Sequence, residues 1–256
     1  MRPAAPTRTE SAWRPGPSQP QLRPGAVHVW RADLEHVDEQ LQELLCEQER
    51  ARAERLLGER HRLLWARSRG LLRTLLGRYL REDPRTLRIA VDASGKPALR
   101  ASAECAGGGA QAAATGLPGP AGAVDLSFNL AHSGALALYA FCAGEPVGID
   151  VESERPSFDE VAIAARMLGA REAARLREIA DGATRQREFL RAWTRYEAEL
   201  KCLGTGIGAR AEGARERRLW VAQLEPGMGA AGAVACTRTP RELRCWSWPA
   251  HDAPAG

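Results

Sequence analysis

The order of strand-like and helix-like segments predicts an α+β fold built from two pseudo-symmetric α/β halves. Three observations carry that expectation. Each half places two helical segments in its middle and strands after them. The run Arg55-Leu56-Leu57-Gly58-Glu59-Arg60 is echoed by Arg166-Met167-Leu168-Gly169-Ala170-Arg171, as expected of an internal duplication. At 256 residues the chain can bury a core as one large domain or as two compact halves. Two similar halves would leave a cleft at their junction, a usual place for a cofactor.

Residues 1–24 are rich in proline and poor in apolar side chains, which predicts a disordered tail. Val27–Trp30 reads as a short strand leading into Leu34. Val37–Tyr79 reads as helical, with Leu56, Leu63, Leu64, Leu71, Leu72, Leu75 and Leu76 in apolar stripes and breaks near Gly58 and Gly70. Leu87–Val91 alternates like a strand and ends at the turn Ser94-Gly95-Lys96-Pro97. Residues 101–122 are almost all Gly, Ala and Pro, the composition of a mobile surface insertion. Val124–Asn129, Leu136–Cys142 and Val147–Val151 follow as strands, then Asp159–Ile179 and Arg185–Leu203 as helices. Strand-like pieces at Trp220–Leu224, Ala233–Cys236 and Leu243–Trp248 close the chain. The expected organisation is a tail at 1–24, an N-terminal half at 25–145 carrying the insertion 101–122, a C-terminal half at 146–250 and a tail at 251–256.

The net charge of +4, from 36 basic and 32 acidic side chains, permits anionic ligands or an acidic partner without requiring nucleic acid. Met1–Pro24 has no apolar core of the kind a secretory signal needs. The apolar run Ala135–Ala143 is too short to span a bilayer. Six cysteines without a CxxC or Cys/His cluster indicate neither a zinc site nor a disulfide framework. A cytoplasmic chain with reduced thiols and no membrane segment is expected.

The sharpest local feature is Gly148-Ile149-Asp150-Val151-Glu152. On a strand, Asp150 and Glu152 share one face while Ile149 and Val151 enter the core. Adjacent ionised carboxylates repel unless a cation or basic groups lie between them, and magnesium is the hard cation suited to such oxygens. A solvated edge strand is the competing reading. In Trp193-Thr194-Arg195-Tyr196-Glu197-Ala198-Glu199-Leu200-Lys201, helical spacing puts Trp193, Glu197 and Lys201 on one stripe. Glu197 becomes a candidate third carboxylate and Lys201 a phosphate-facing ammonium, against the alternative of an exposed ion pair. In Phe128-Asn129-Leu130-Ala131-His132-Ser133-Gly134, His132 and Ser133, beside backbone amides at a Gly turn, are candidates to hold a phosphate of the cofactor. A Ser–His nucleophilic pair is disfavoured there because no G-x-S-x-G elbow surrounds Ser133.

Taken in order, Gly95-Lys96-Pro97, Phe128–Gly134, Gly148–Glu152 and Trp193–Lys201 with Gly204 resemble the motifs of the 4'-phosphopantetheinyl transferase superfamily. The likeness is closest to its larger branch, which acts on carrier proteins of secondary metabolism, and it covers roughly Val27 to Gly208. The resemblance implies coenzyme A bound between the halves and Mg2+ on Asp150, Glu152 and Glu197. It implies His132 on the 3'-phosphate, Lys96 facing the phosphates and Lys201 near the pyrophosphate, with Arg55 and Arg62 as looser 3'-phosphate candidates. An apo acyl or peptidyl carrier protein would supply the serine, with Glu197 and Lys201 as catalytic groups, and the duplication makes a monomer sufficient. Tyr196 stands where the family usually has a lysine, so one positive charge is missing. A relative that binds coenzyme A or carrier protein without turnover is the first alternative. A basic nucleic-acid-binding module, motivated by the arginine-rich stretch Arg50–Arg81, is the second.

Overall fold

The computed structural model describes residues 13–91, 97–99, 126–155, 158–205 and 219–249. The expected insertion at 101–122, Lys96, and the tails at 1–12 and 251–256 lie outside them. Within them the chain is α+β. A five-stranded sheet is ordered β1(Arg14–Pro15), β10(Glu242–Ser247), β2(Ala26–Asp33), β6(Leu136–Ala143), β5(Leu126–Ser133). A three-stranded sheet is ordered β7(Val147–Ser153), β9(Ala230–Cys236), β8(Trp220–Gly227), and a small ribbon pairs β3(Ile89–Val91) with β4(Pro97–Leu99).

Strand alternation explains the layering. On β2, Trp30 and Ala32 face the long helix α2(Glu59–Leu80) and meet its Leu71, Leu72, Leu75 and Leu76, whereas Val27 and Val29 face the other way. On β6, Ala137, Tyr139 and Phe141 join that first core, and Leu138, Ala140 and Cys142 join a second. The strand is therefore buried on both faces, which is why its sequence is a continuous apolar run rather than an alternation. The second core lies between the sheets and contains Val147, Ile149, Val151, Leu224 and Val234. The outer face of β9 meets α5(Gly182–Leu203) through Ala198, Cys202, Ala233 and Ala235. The layers run helix, sheet, sheet, helix.

The echo in the sequence has a structural counterpart. Gly58 follows the short helix α1(Glu47–Glu54) and Gly169 follows α3(Glu160–Met167), each as the N-cap of the next helix, with φ of +83° and +100°. Glycine reaches that region without the penalty a Cβ brings. The packing of the two turns differs: Leu57 is 89% exposed, whereas Leu168 packs against the core of α3, α4(Ala170–Arg177) and α5.

Three expectations are corrected. Residues 13–24 are not a free tail: Arg14 and Pro15 pair in parallel with Trp246 and Ser247, the Trp13 indole donates to the Glu225 carbonyl at 2.8 Å, and Leu22 enters the first core. Edge pairing and one buried leucine compensate for the proline-rich composition. Gly70 does not break a helix: a Cβ there would lie 2.1 Å from the Leu41 carbonyl oxygen, so its role is to let the 3-10 turn Glu39–Leu44 lie on α2. The C-terminal half is also not self-contained, because β10 runs parallel to β2 and belongs to the N-terminal sheet.

Three arginines in the middle of the arginine-rich stretch, Arg67, Arg69 and Arg73, are turned inward. Glu49 of α1 is buried and takes Arg73 at 2.6 Å and Arg69 at 3.3 Å, while Arg73 also donates to the carbonyls of Pro84 and Leu87. Arg67, also buried, donates to the Leu34 carbonyl and to Glu39. These guanidiniums tie α1 and the 3-10 turn to α2 and are absent from any exposed basic face. Among the described residues no helix is long and apolar enough to cross a membrane.

Candidate active site

The candidate site is built where β7 meets α5. Gly148 makes the contact close: a Cβ there would lie 2.1 Å from the Ala198 carbonyl oxygen and 2.3 Å from the Cys202 amide nitrogen. With no side chain at 148, the helix backbone rests on the strand, and Glu197 and Lys201, one turn apart, come down over Asp150 and Glu152. Ile149 and Val151 point to the inter-sheet core as the alternation predicts.

Lys201 Nζ donates to Asp150 Oδ1 at 2.6 Å. The alternative of an exposed Glu197–Lys201 pair is therefore not what the helix presents. Asp150 and Glu197 are each about 5% exposed, and Asp150 Oδ2 and Glu197 Oε1 are buried without a hydrogen-bond donor. Burial pushes the Asp150 carboxyl up to about 6; Lys201 opposes the shift, and Glu152 and Glu197 add to it by repulsion. Burial also raises Glu197, against Lys201 and with Glu152. The three carboxylates thus share one electrostatic neighbourhood on two elements. Among the described residues, no three His, Cys, Asp or Glu side chains already converge on a common ion position. The fit of a hard cation rests on the two donorless buried oxygens and on the all-carboxylate donor set.

Glu152 is held from both sides. Ser133 Oγ donates to Glu152 Oε2 at 3.0 Å, and Arg155 forms an ion pair with the same oxygen. Ser133 is buried, so the structure directs it to Glu152. His132, next along β5, is on the opposite face and exposed. Partial desolvation, then the charge of Lys201, hold its imidazole below the usual histidine range; Glu152 pulls the other way and His61 adds to the lowering. His61 lies in the first turn of α2, where Gly58 provides no side-chain cap. A histidine in the first turn after a glycine N-cap is the signal that would have singled it out beside His132.

Arg55 and Arg62 flank that same turn and are exposed; the Arg62 guanidinium lies 3.4 Å from the Leu56 carbonyl. They stand with His61 at the start of α2, on the His132 side of the site and apart from the carboxylates. Tyr196 leans on Trp193, with ring centroids 6.1 Å apart, and Trp193 borders the core of α3, α4 and α5. Arg195 is exposed and acts on Glu199, one turn along. A separate cavity of about 270 Å3 lies by the β8–β9 turn, lined by Arg31, Asp33, Met228 and Trp248 among others.

Residues 146–248 match the family model of the 4'-phosphopantetheinyl transferase superfamily. Over 201 residues the chain is 36% identical to the 4'-phosphopantetheinyl transferase HetI of Nostoc sp., covering 77% of each protein. Over 171 residues it is 29% identical to the provisionally assigned 4'-phosphopantetheinyl transferase slr0495 of Synechocystis sp., covering 65% of this chain and 59% of that one.

Proposed function

The chain belongs to the 4'-phosphopantetheinyl transferase superfamily, and on that premise we propose that it moves the phosphopantetheine of coenzyme A to a serine of an apo acyl or peptidyl carrier protein. The step is magnesium-dependent and releases 3',5'-ADP. The enzyme class itself, a phosphopantetheinyl transferase, follows from the identity over most of the chain. The observation that carries the magnesium reading is the pair of donorless buried oxygens on Asp150 and Glu197 beside the Asp150–Lys201 contact.

Asp150, Glu152 and Glu197 would hold the metal. When bound, it withdraws charge from the pyrophosphate and lowers the barrier to attack on the β-phosphate. Lys201, which donates to Asp150 in the free chain, would balance the charge growing on the leaving 3',5'-ADP. Glu197, buried beside Lys201 and Glu152, would assist removal of the serine proton directly or through a water, a role in compromise with metal binding, which lowers a carboxylate's basicity. His132 and His61, with Arg55 and Arg62, border the first turn of a 22-residue helix. The two guanidinium groups, the imidazole N–H donors and that helix's dipole suit the 3'-phosphate of coenzyme A. Lys96 keeps the phosphate-facing role that the family pattern gives it. A monomer acting in the cytoplasm completes the proposal.

Incubation with coenzyme A, magnesium and a panel of apo carrier proteins, followed by intact mass measurement, tests it. A carrier should gain one phosphopantetheine mass, and chelation should stop the gain. Transfer that persists after chelation would remove the metal from the mechanism. A chain that binds coenzyme A and carrier without any transfer would be the non-catalytic relative.

A further inference from the structure

We infer that Ser133 is a positioning residue for Glu152 and, with Asn129, half of a side-chain clasp that fixes the metal-binding strand to the N-terminal sheet. The inference deepens the magnesium reading and rests on it. β5 and β7 are edge strands of different sheets and share no backbone ladder. They are joined by side chains: Asn129 Oδ1 accepts from the Ile149 amide at 2.9 Å, and Ser133 Oγ accepts from the Ser153 amide at 3.1 Å. Both partners advance by four residues, so the strands run parallel and in step. Asn129 and Ser133 are both buried and lie on the same face of β5, because strand side chains alternate with period two.

The proton of Ser133 has one destination. Its oxygen accepts from the Ser153 amide, and its single O–H is directed at Glu152 Oε2, 3.0 Å away. A hydroxyl used in this way is not available to a phosphate, and it orients a carboxylate of the candidate metal set. The clasp also places His132, on the opposite face of β5, in a fixed relation to Glu152 and Lys201, the charges that act on it. The two phosphate-side and metal-side groups would then be set by one joint. Partners that orient metal ligands commonly change metal affinity by roughly ten- to a hundredfold when removed.

The test uses the full-length chain and Mn2+ as a spectroscopic probe, without coenzyme A. Comparing Ser133→Thr with Ser133→Val isolates the hydroxyl at nearly constant shape, and thermal melting shows whether each variant folds. The inference expects Ser133→Val to weaken Mn2+ binding about tenfold while Ser133→Thr stays within about threefold of the natural chain. The KM for coenzyme A should be nearly the same in both. A raised KM for coenzyme A with unchanged Mn2+ binding in Ser133→Val would make Ser133 a phosphate contact and overturn the inference. Equal Mn2+ affinity in the two variants would overturn it as well. Glu152→Gln separates the two levels: if it leaves Mn2+ binding intact, the metal reading itself fails, whereas a loss there with no loss in Ser133→Val defeats only the clasp.

Discussion

Replacing Gly148 with alanine puts a methyl group where the backbone of α5 already lies. Its Cβ would stand 2.1 Å from the Ala198 carbonyl oxygen and 2.3 Å from the Cys202 amide, whereas ordinary contact begins near 3.4 Å. The helix or the strand must therefore give by about 1.3 Å, the difference between the two contact distances. Backbone on both sides leaves no flexible side chain to absorb the change. Overpacking of this kind costs about 1–3 kcal/mol. For a chain of this size each kcal/mol lowers Tm by roughly 2–4 °C, so a fall of about 2–12 °C is expected. The functional loss should be larger than the stability loss suggests. Glu197 and Lys201 ride on the displaced helix, and the 2.6 Å contact of Lys201 with Asp150 cannot survive such a shift unchanged. A misplacement of about 1 Å can reduce turnover on the order of a hundredfold. Melting temperature by scanning calorimetry and kcat/KM by carrier mass shift check both halves. Wild-type kcat/KM in a folded Gly148→Ala chain would refute the argument that this glycine seats the site.

The remaining predictions concern charge. Asp150 titrates near 6 in the folded chain against 3.8 for the free side chain. The unfolded chain therefore releases this proton first as pH rises, and the group's contribution to stability falls between about pH 4 and 6. Asp150→Asn should remove that fall, leaving the variant up to about 3 kcal/mol more stable at pH 7.5 relative to the natural chain and inactive in transfer. Urea titrations at pH 4, 5.5 and 7.5 check this, and an unchanged pH slope would defeat it. At limiting magnesium, kcat/KM should drop as pH falls through about 6, because a proton on Asp150 then competes with the metal, and excess magnesium should move the drop to lower pH. For carrier docking, Arg166 and Arg171 are exposed, whereas Arg175 is tied to Glu172 and Glu188 and Leu168 is packed into the core. Arg171→Glu should raise the carrier KM roughly tenfold, about 1.4 kcal/mol, leave coenzyme A use unchanged, and weaken in effect as salt rises. Equal effects on both substrates would remove this surface from docking.

Local signals in the sequence carried the site further than they carried the fold. Asp150 and Glu152 were legible because the two-residue period of a strand sorts them from Ile149 and Val151, which both enter the inter-sheet core. Gly58 was legible as a break, since a left-handed glycine before a polar–apolar run marks a helix start. Gly70 misled, because a glycine that breaks a helix and one that admits a neighbouring backbone look alike in one dimension. The Asn129 and Ser133 clasp was hidden for a related reason: its partners lie twenty residues away, on the edge of another sheet. The inward turn of Arg67, Arg69 and Arg73 was masked by their charge, which reads as a solvated face until the buried Glu49 is seen on Arg69 and Arg73 and the Leu34 carbonyl on Arg67.

The place of β10 has a consequence for how the molecule comes into being. Residues 242–247 lie between β1 and β2, although β10 is the last strand in sequence order and those two are the first. A nascent chain leaving the ribosome can form α2 and the β5–β6 hairpin early. Its first sheet nevertheless keeps an open edge at β2 until residues 242–247 emerge, and such an edge is prone to pair with other chains. The two halves therefore cannot be separated by cutting between them, since a fragment ending before residue 242 leaves that edge bare. Expressed as two pieces split after residue 145, the protein should regain the complete five-stranded sheet only when both are present, because β10 comes from the second piece and β2 from the first.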